Sequence, residues 1–328
     1  MMRRRSLWLA LIALVAPGAA GAFIISPPID CKLGETCHIQ NYVDRDPGPG
    51  AADFTCGPLT YDGHKGTDFA LPSLSAMRAD VDVLAAAPGT IRGLRDGMAD
   101  IAADDPAAPA LDGRDCGNGV VIDHGDGWET QYCHMMRGSI AVTMGQRVAK
   151  GTVLGQVGLS GRTEFPHAHL SVRHDGAVVD PFAPTAGPVS CDGRTGEPPL
   201  WEDPLPYTPG GLISVGIATG LPQYERLKDG LSTPARVPAN APALVVWGYA
   251  FGGQSGDSVI ITLDGPGGRI LRQSAALDRD QAQFFRAAGK RCCGGPERWP
   301  AGTYTGVVAL VRDGQELDRA TAEIRVEN

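Results

Sequence analysis

Gly117-Asn118-Gly119-Val120-Val121-Ile122-Asp123-His124-Gly125-Asp126-Gly127-Trp128-Glu129-Thr130-Gln131-Tyr132-Cys133-His134 sets two β-prone runs about a glycine-aspartate turn. Gly119 to His124 and Glu129 to His134 are the right length for strands. Gly125-Asp126-Gly127 supplies the positive-φ residues that a tight hairpin requires. Further runs of the same kind lie outward from this pair, at Val81 to Ala87, Arg147 to Val157 and Ala168 to Arg173, with a second turn at Asp175-Gly176. Helical periodicity is nearly absent, so residues 58–185 read as a β domain.

The flanks read differently. Residues 23–57 carry Pro27-Pro28, two cysteines and Asp46-Pro47-Gly48-Pro49-Gly50, the composition of an irregular arm pinned by a disulfide rather than by regular structure. Eight prolines between Pro181 and Pro209 mark a linker, placed at 186–210. Beyond it, Ala243 to Phe251, Ser258 to Leu263, Thr303 to Val311 and Ala320 to Val326 are strand-like, and Asp313-Gly314 offers another turn. Residues 211–328 therefore read as a small β-sandwich, for which an immunoglobulin-like arrangement is one form. The fold class is mainly β: an antiparallel sheet or barrel-like domain with a groove, followed by a sandwich.

At the front, Arg3, Arg4 and Arg5 precede a short apolar run, Leu7 to Ala16, and then Ala20-Gly21-Ala22. That order is a secretory signal with cleavage expected after Ala22, which places the mature chain in the periplasm or outside the cell. No second hydrophobic segment follows, so no membrane span is expected in the mature protein. Without those three arginines, the 29 basic residues fall to 26 against 37 acidic ones, a balance of −11. Such a surface repels phosphate backbones and makes nucleic acid a poor partner. Oligomeric state is not legible here.

The eight cysteines behind an export signal favour disulfides over thiols. None stand at zinc-finger spacing. Cys31 with Cys37, near in sequence, and Cys116 with Cys133, flanking the hairpin, are the expected pairs.

Chemistry concentrates in three short segments: Gly63-His64-Lys65-Gly66-Thr67-Asp68-Phe69, Gln131-Tyr132-Cys133-His134 and Phe165-Pro166-His167-Ala168-His169-Leu170. In a strand, His167 and His169 point to one face while Ala168 and Leu170 point to the other. Two adjacent imidazoles suit a metal or catalytic role better than packing. His64 and Asp68 add a nitrogen and a carboxylate, and three such ligands with a fourth position open are what catalytic zinc requires. Manganese or iron would tolerate the same ligands. His124, His38 and His174 are given structural or solvated roles, and Trp201, Trp247 and Trp299 core packing.

His64-x-x-x-Asp68, Tyr132-x-His134 and His167-x-His169 together resemble the motif set of lysostaphin-type (LytM-like) zinc metallopeptidases, which are murein endopeptidases. Lys65 to Ala70, Val83 to Thr90, Gly117 to Gly125, Gly145 to Val148 and Val179-Asp180-Pro181 continue the likeness over about 58–185. The resemblance implies one Zn²⁺ per chain held by His64, Asp68 and His169. It implies catalytic roles for His167, read as base, and His134, read as stabiliser. It also implies peptide cross-links of peptidoglycan as substrate. Two departures stand out. Cys133 occupies a place usually taken by alanine, and its strand parity, opposite to that of His134, should turn it away from the site. The stretch from Arg95 to Gly117 is longer than usual and should border the groove.

Two other functions compete. One is a catalytically weak wall-binding or regulatory protein that activates other hydrolases; relatives of that kind lack part of the ligand set, whereas all five positions are present here. The other is a zinc peptidase of extracellular proteins.

Overall fold

The computed structural model describes residues 23–185, 197–292 and 298–328. The expected signal segment, residues 1–22, lies outside them. The first unit contains strands β1 (His38–Asn41), β2 (Thr67–Ala70), β3 (Asp82–Leu84), β4 (Gly89–Arg95), β5 (Asn118–Gly125), β6 (Trp128–Met135), β7 (Arg147–Val148), β8 (Val153–Gln156), β9 (His167–His174) and β10 (Ala177–Val179). Eight of these form an antiparallel sheet in the order β1-β2-β9-β6-β5-β4-β7, with β10 also pairing β9. The separate β3–β8 ladder shares the same core through Val83 and Leu154.

The expected hairpins form where the turn chemistry demands. Asp126 and Gly127 both have positive φ, as do Asp175 and Gly176, and Asp313 and Gly314, the signature of type I′ turns that match strand twist. Alternation then decides which face is buried. On β9, Ala168, Leu170 and Val172 enter the core and leave His167 and His169 on the opposite face.

The N-terminal arm is more regular than its composition suggests. Its disulfide Cys31–Cys37 is formed, but β1 also extends the main sheet by pairing with β2. His38, expected to be solvated, is instead buried and its ring lies 4.3 Å from that of Phe251. Burial lowers its pKa from 6.5 to about 4, against the opposing hydrogen bond to Gln40. Charging is thus harder in the folded than in the unfolded chain. This contribution is fully present above pH 6.5 and is lost as pH falls toward 4, up to about 3 kcal/mol. Denaturant unfolding of the wild type and of His38→Gln at pH 7 and pH 4 should show the wild type losing that much more stability on acidification.

The second unit comprises β11 (Gly211–Ala218), β12 (Arg236–Pro238), β13 (Ala243–Gly253), β14 (Ser258–Gly265), β15 (Gly268–Ala276), β16 (Gln281–Arg291), β17 (Gly302–Arg312) and β18 (Gln315–Glu327). A three-stranded sheet, β11-β13-β16, faces a five-stranded one, β12-β18-β17-β14-β15. Leu244, Val246, Leu263, Val308 and Ile324 fill the space between them. This is a β-sandwich. The described end of the linker is packed: Trp201 is buried, with rings of Phe69 and Phe182 within 5.9 Å.

The two units touch through specific bonds. Gln40 donates from Nε2 to the Ala282 carbonyl at 3.0 Å, and Gln283 Nε2 donates to Gln40 Oε1 at 2.9 Å. Arg78 pairs with Asp229 at 2.6 Å.

Candidate active site

Register brings the three sequence segments together. In the β2–β9 ladder Asp68 lies opposite His169, and Ala70 opposite His167. Directly paired residues share a face, so Asp68 and His169 meet, with His167 two residues along. His64 reaches the same place from the loop before β2. Gly66 makes room for the group, because a Cβ there would fall 2.5 Å from His169 Nε2.

The contacting atoms are well defined. Asp68 Oδ1 lies 2.8 Å from His169 Nδ1 and 3.2 Å from His64 Nε2, and those two nitrogens are 3.2 Å apart. The atoms pointing outward are each engaged. His64 Nδ1 donates to the Tyr42 carbonyl at 2.6 Å, His169 Nε2 meets the Ser171 hydroxyl at 3.0 Å, and Asn41 Nδ2 donates to Asp68 Oδ2 at 2.9 Å. Such outer bonds fix ring orientation and tautomer around a metal. His64, Asp68 and His169 converge within 4.8 Å, so this trio can hold a metal ion; His134, His167 and His169 form a second convergent set.

His167 and His134 are anchored alike. His167 Nδ1 donates to the Phe165 carbonyl at 3.0 Å and His134 Nδ1 to the Ser160 carbonyl at 2.8 Å. Each therefore turns Nε2 inward, and their ring centroids are 4.6 Å apart. His167 Nε2 is 3.3 Å from Asp68 Oδ1.

One expectation about His134 is corrected. Cys133 is paired with His169 in the β6–β9 ladder, so it shares the site face rather than pointing away. Simple alternation would send His134 to the core face with Tyr132. It reaches the site because the chain leaves regular strand geometry there: the β5–β6 register shifts, and His134 takes a left-handed φ of 61°. That conformation is uncommon for a residue with a Cβ and marks local strain. Neighbours hold it: the His134 amide donates to the Cys116 carbonyl at 2.8 Å, and Cys116 is disulfide-bonded to Cys133. The bridge thus frames the bent segment. In the double variant Cys116→Ser/Cys133→Ser, kcat is expected to fall about 10–100-fold, as for loss of an orienting partner, with KM and metal content little changed. Steady-state kinetics with metal analysis checks this.

Charge in the cluster is unbalanced. Burial alone would raise the Asp68 pKa, but the facing His64 and His167 hold it well below the usual carboxylate range. Burial works against charge on His64 too, yet attraction and hydrogen bonding to Asp68 outweigh it and raise its pKa. Burial lowers His169, with His64 and His167 adding to the effect. His134 is driven well below its ordinary value by burial and by repulsion from His167 and His169. One carboxylate thus faces imidazoles of which His169 and His134 are held toward the neutral form, a donor set that suits a divalent cation.

The sequence pattern of Peptidase family M23 matches residues 62–181, and every one of these five side chains falls inside that span. Residues 62–181 are a peptidase family M23 domain. The chain is 40% identical over 68 residues to the cell division protein DipM of Caulobacter vibrioides, covering 21% of this chain and 11% of that one. It is 32% identical over 120 residues to the DD-carboxypeptidase/endopeptidase Mpg of Neisseria meningitidis (37% and 22% covered), and 34% identical over 117 residues to the peptidoglycan DD-endopeptidase ShyA of Vibrio cholerae (36% and 22% covered). The chain spans less than a quarter of the length of these relatives.

Around the M23 cluster lie groups that sequence reading passed over. Asn41 and the Tyr42 carbonyl come from the arm, and Ser160, Thr163 and Ser171 from the M23 domain. Tyr61 lies 4.6 Å from the His64 ring, its pKa pushed up to about 12 by burial and by Asp68. None carries a motif; only their place in the sheet shows them. His124 stays outside, bonded to the Pro88 carbonyl and to Thr130. The long Arg95–Gly117 stretch does border the groove, through Ala103 beside the cluster and Asp100 to Pro106 in an adjoining cavity.

Proposed function

We propose that this protein is a zinc metalloendopeptidase that hydrolyses peptide cross-links of peptidoglycan outside the cytoplasm. The observation that carries the reading is the convergence of His64 Nε2, Asp68 Oδ1 and His169 Nδ1, each with its outer atom already bonded. Two imidazole nitrogens and a carboxylate, with a further position open, fit catalytic zinc. Zinc held there activates water and polarises a scissile carbonyl.

The chain's own residues supply the proton handling. With Nδ1–H given to a backbone carbonyl, neutral His167 presents a lone pair at Nε2 and can accept a proton from water. The imidazolium so formed lies 3.3 Å from the Asp68 carboxylate, which favours its charge. It can then return the proton to the leaving amine. His134 faces the same space from the other side. Its environment opposes a positive charge, so it acts as the second polar contact to the reacting carbonyl rather than as the main base.

Peptidoglycan as substrate is supported by the name of the relative ShyA, a peptidoglycan DD-endopeptidase, and peptide-bond cleavage by the endopeptidase named in Mpg and by the M23 domain. An extracytoplasmic location agrees with that substrate and with the arginine-led N-terminal segment; among the described residues no helix is long and apolar enough to cross a membrane. The presence of all five side chains in one cluster favours catalysis over a regulatory role. Incubating purified peptidoglycan and casein separately with the protein tests the substrate. Release of new peptide ends only from peptidoglycan is expected; cleavage of casein alone would make it a peptidase of extracellular proteins.

A further inference from the structure

The catalytic cluster does not open onto bulk solvent through the M23 domain alone. It lines a cavity of about 560 Å³ whose opposite wall belongs to the sandwich: Gly252 and Gly253 at the end of β13, and Asp280, Gln281 and Ala282 at the start of β16. A second cavity of about 490 Å³ lies between the same two units, walled by Asp100 to Pro106 on one side and by Ile213, Tyr249 and Gln283 on the other. Glu164 and Phe165, just ahead of His167, border both. The two spaces are thus neighbouring compartments of one seam. The wall between units is fixed by the Gln40–Ala282 and Gln40–Gln283 bonds, and Tyr249 donates in turn to Gln283.

The seam has a character suited to one kind of occupant. Leu71, Leu74, Ile101, Leu159, Phe165 and Tyr249 give the second compartment apolar surface for a chain to lie on. Its fixed charges are mostly negative: Asp100, Asp104, Asp105, Glu164 and Glu225. Its one cation, Lys228, is engaged by Asp104 at 3.7 Å and Glu225 at 3.4 Å. In the first compartment Arg162 is paired with Asp115, while Asp280 and Glu164 also face the space. An extended peptide bearing an uncompensated primary amine complements this surface; an anionic or amine-capped one does not.

We propose that the seam is a substrate-binding cleft built jointly by the two units, and that its second compartment takes a primary-amine-bearing residue of the peptide being cut. The C-terminal sandwich is then a specificity element of the site rather than a remote anchor. This rests on the peptidase reading above, and binding to chelator-treated protein separates the two.

The probe is a pair of synthetic peptides identical except that a lysine side chain is free in one and acetylated in the other. Calorimetry with the full chain after metal removal should show the free-amine peptide binding about fivefold or more tighter. Glu164→Gln/Glu225→Gln should collapse that ratio toward one, and Ala282→Trp should weaken both peptides by narrowing the cleft. Equal binding of the two peptides by wild type, or a ratio untouched by the double variant, overturns the proposal. Selective binding without hydrolysis by the zinc-loaded protein would retain the cleft and overturn the peptidase reading instead.

Discussion

Replacing His167 with alanine should lower kcat about 10²–10⁴-fold, the usual contribution of a general base, while zinc content stays at the wild-type value. The residue is not one of the three convergent metal donors of the first set. It is held by the Phe165 carbonyl and points Nε2 at the reaction space. In the proposed roles, removing it takes away the proton acceptor and leaves the three metal donors in place. The buried Thr163 hydroxyl and the Phe165 carbonyl would lose a partner but keep their own 2.7 Å bond, so the cost to folding should be modest. His134→Ala should give a smaller fall in kcat, about 10²–10³-fold, as for removal of one polar contact to a developing oxyanion. Steady-state kinetics on a defined peptide, with metal analysis of each variant, would distinguish the roles. A larger loss for His134→Ala than for His167→Ala would reverse the assignment.

Replacing His169 with alanine should do more, because in the proposed site it removes a metal ligand and the partner of two others. His169 Nδ1 touches both Asp68 and His64, and Ser171 holds its far side. Only two donors would remain where three plus an open position are needed. Zinc affinity should fall well beyond the 10–100-fold that loss of an outer partner costs, and hydrolysis should fall to background. The fold should survive, since His169 lies on the site face of β9 while Ala168, Leu170 and Val172 keep the core. Metal content by atomic spectroscopy and far-UV circular dichroism together would check this. Full zinc occupancy in the folded variant would remove His169 from the ligand set.

The site was legible in sequence to the extent that period-two alternation holds. His167 and His169 share a face because β9 is regular, and Asp126-Gly127 and Asp175-Gly176 turn where I′ geometry requires. What failed was alternation carried one residue too far on β6, where a register shift and a left-handed residue bring His134 to the site face that Cys133 already shares. A bulge has no reliable signature in a single sequence. β2 was hidden for another reason: four fully buried residues containing an aspartate present neither alternation nor a continuous apolar run. β1 and His38 were read as polar arm because their burial comes from the distant β2 and Phe251. In the sandwich, β15 and the far end of β16 are rich in exposed arginine and glycine, so pairing rather than composition makes them strands. The cleft wall formed by residues 280–283 could not be foreseen, because it depends on how two units dock.

The most direct test of the central claim is mass spectrometry of purified peptidoglycan digested by the full chain, by the chelator-treated chain, and by that chain after zinc is restored. Cross-linked peptide fragments should be cut at a peptide bond by the first and third and left intact by the second. Identical fragments from all three, or no fragments from any, would contradict a zinc endopeptidase acting through His64, Asp68 and His169.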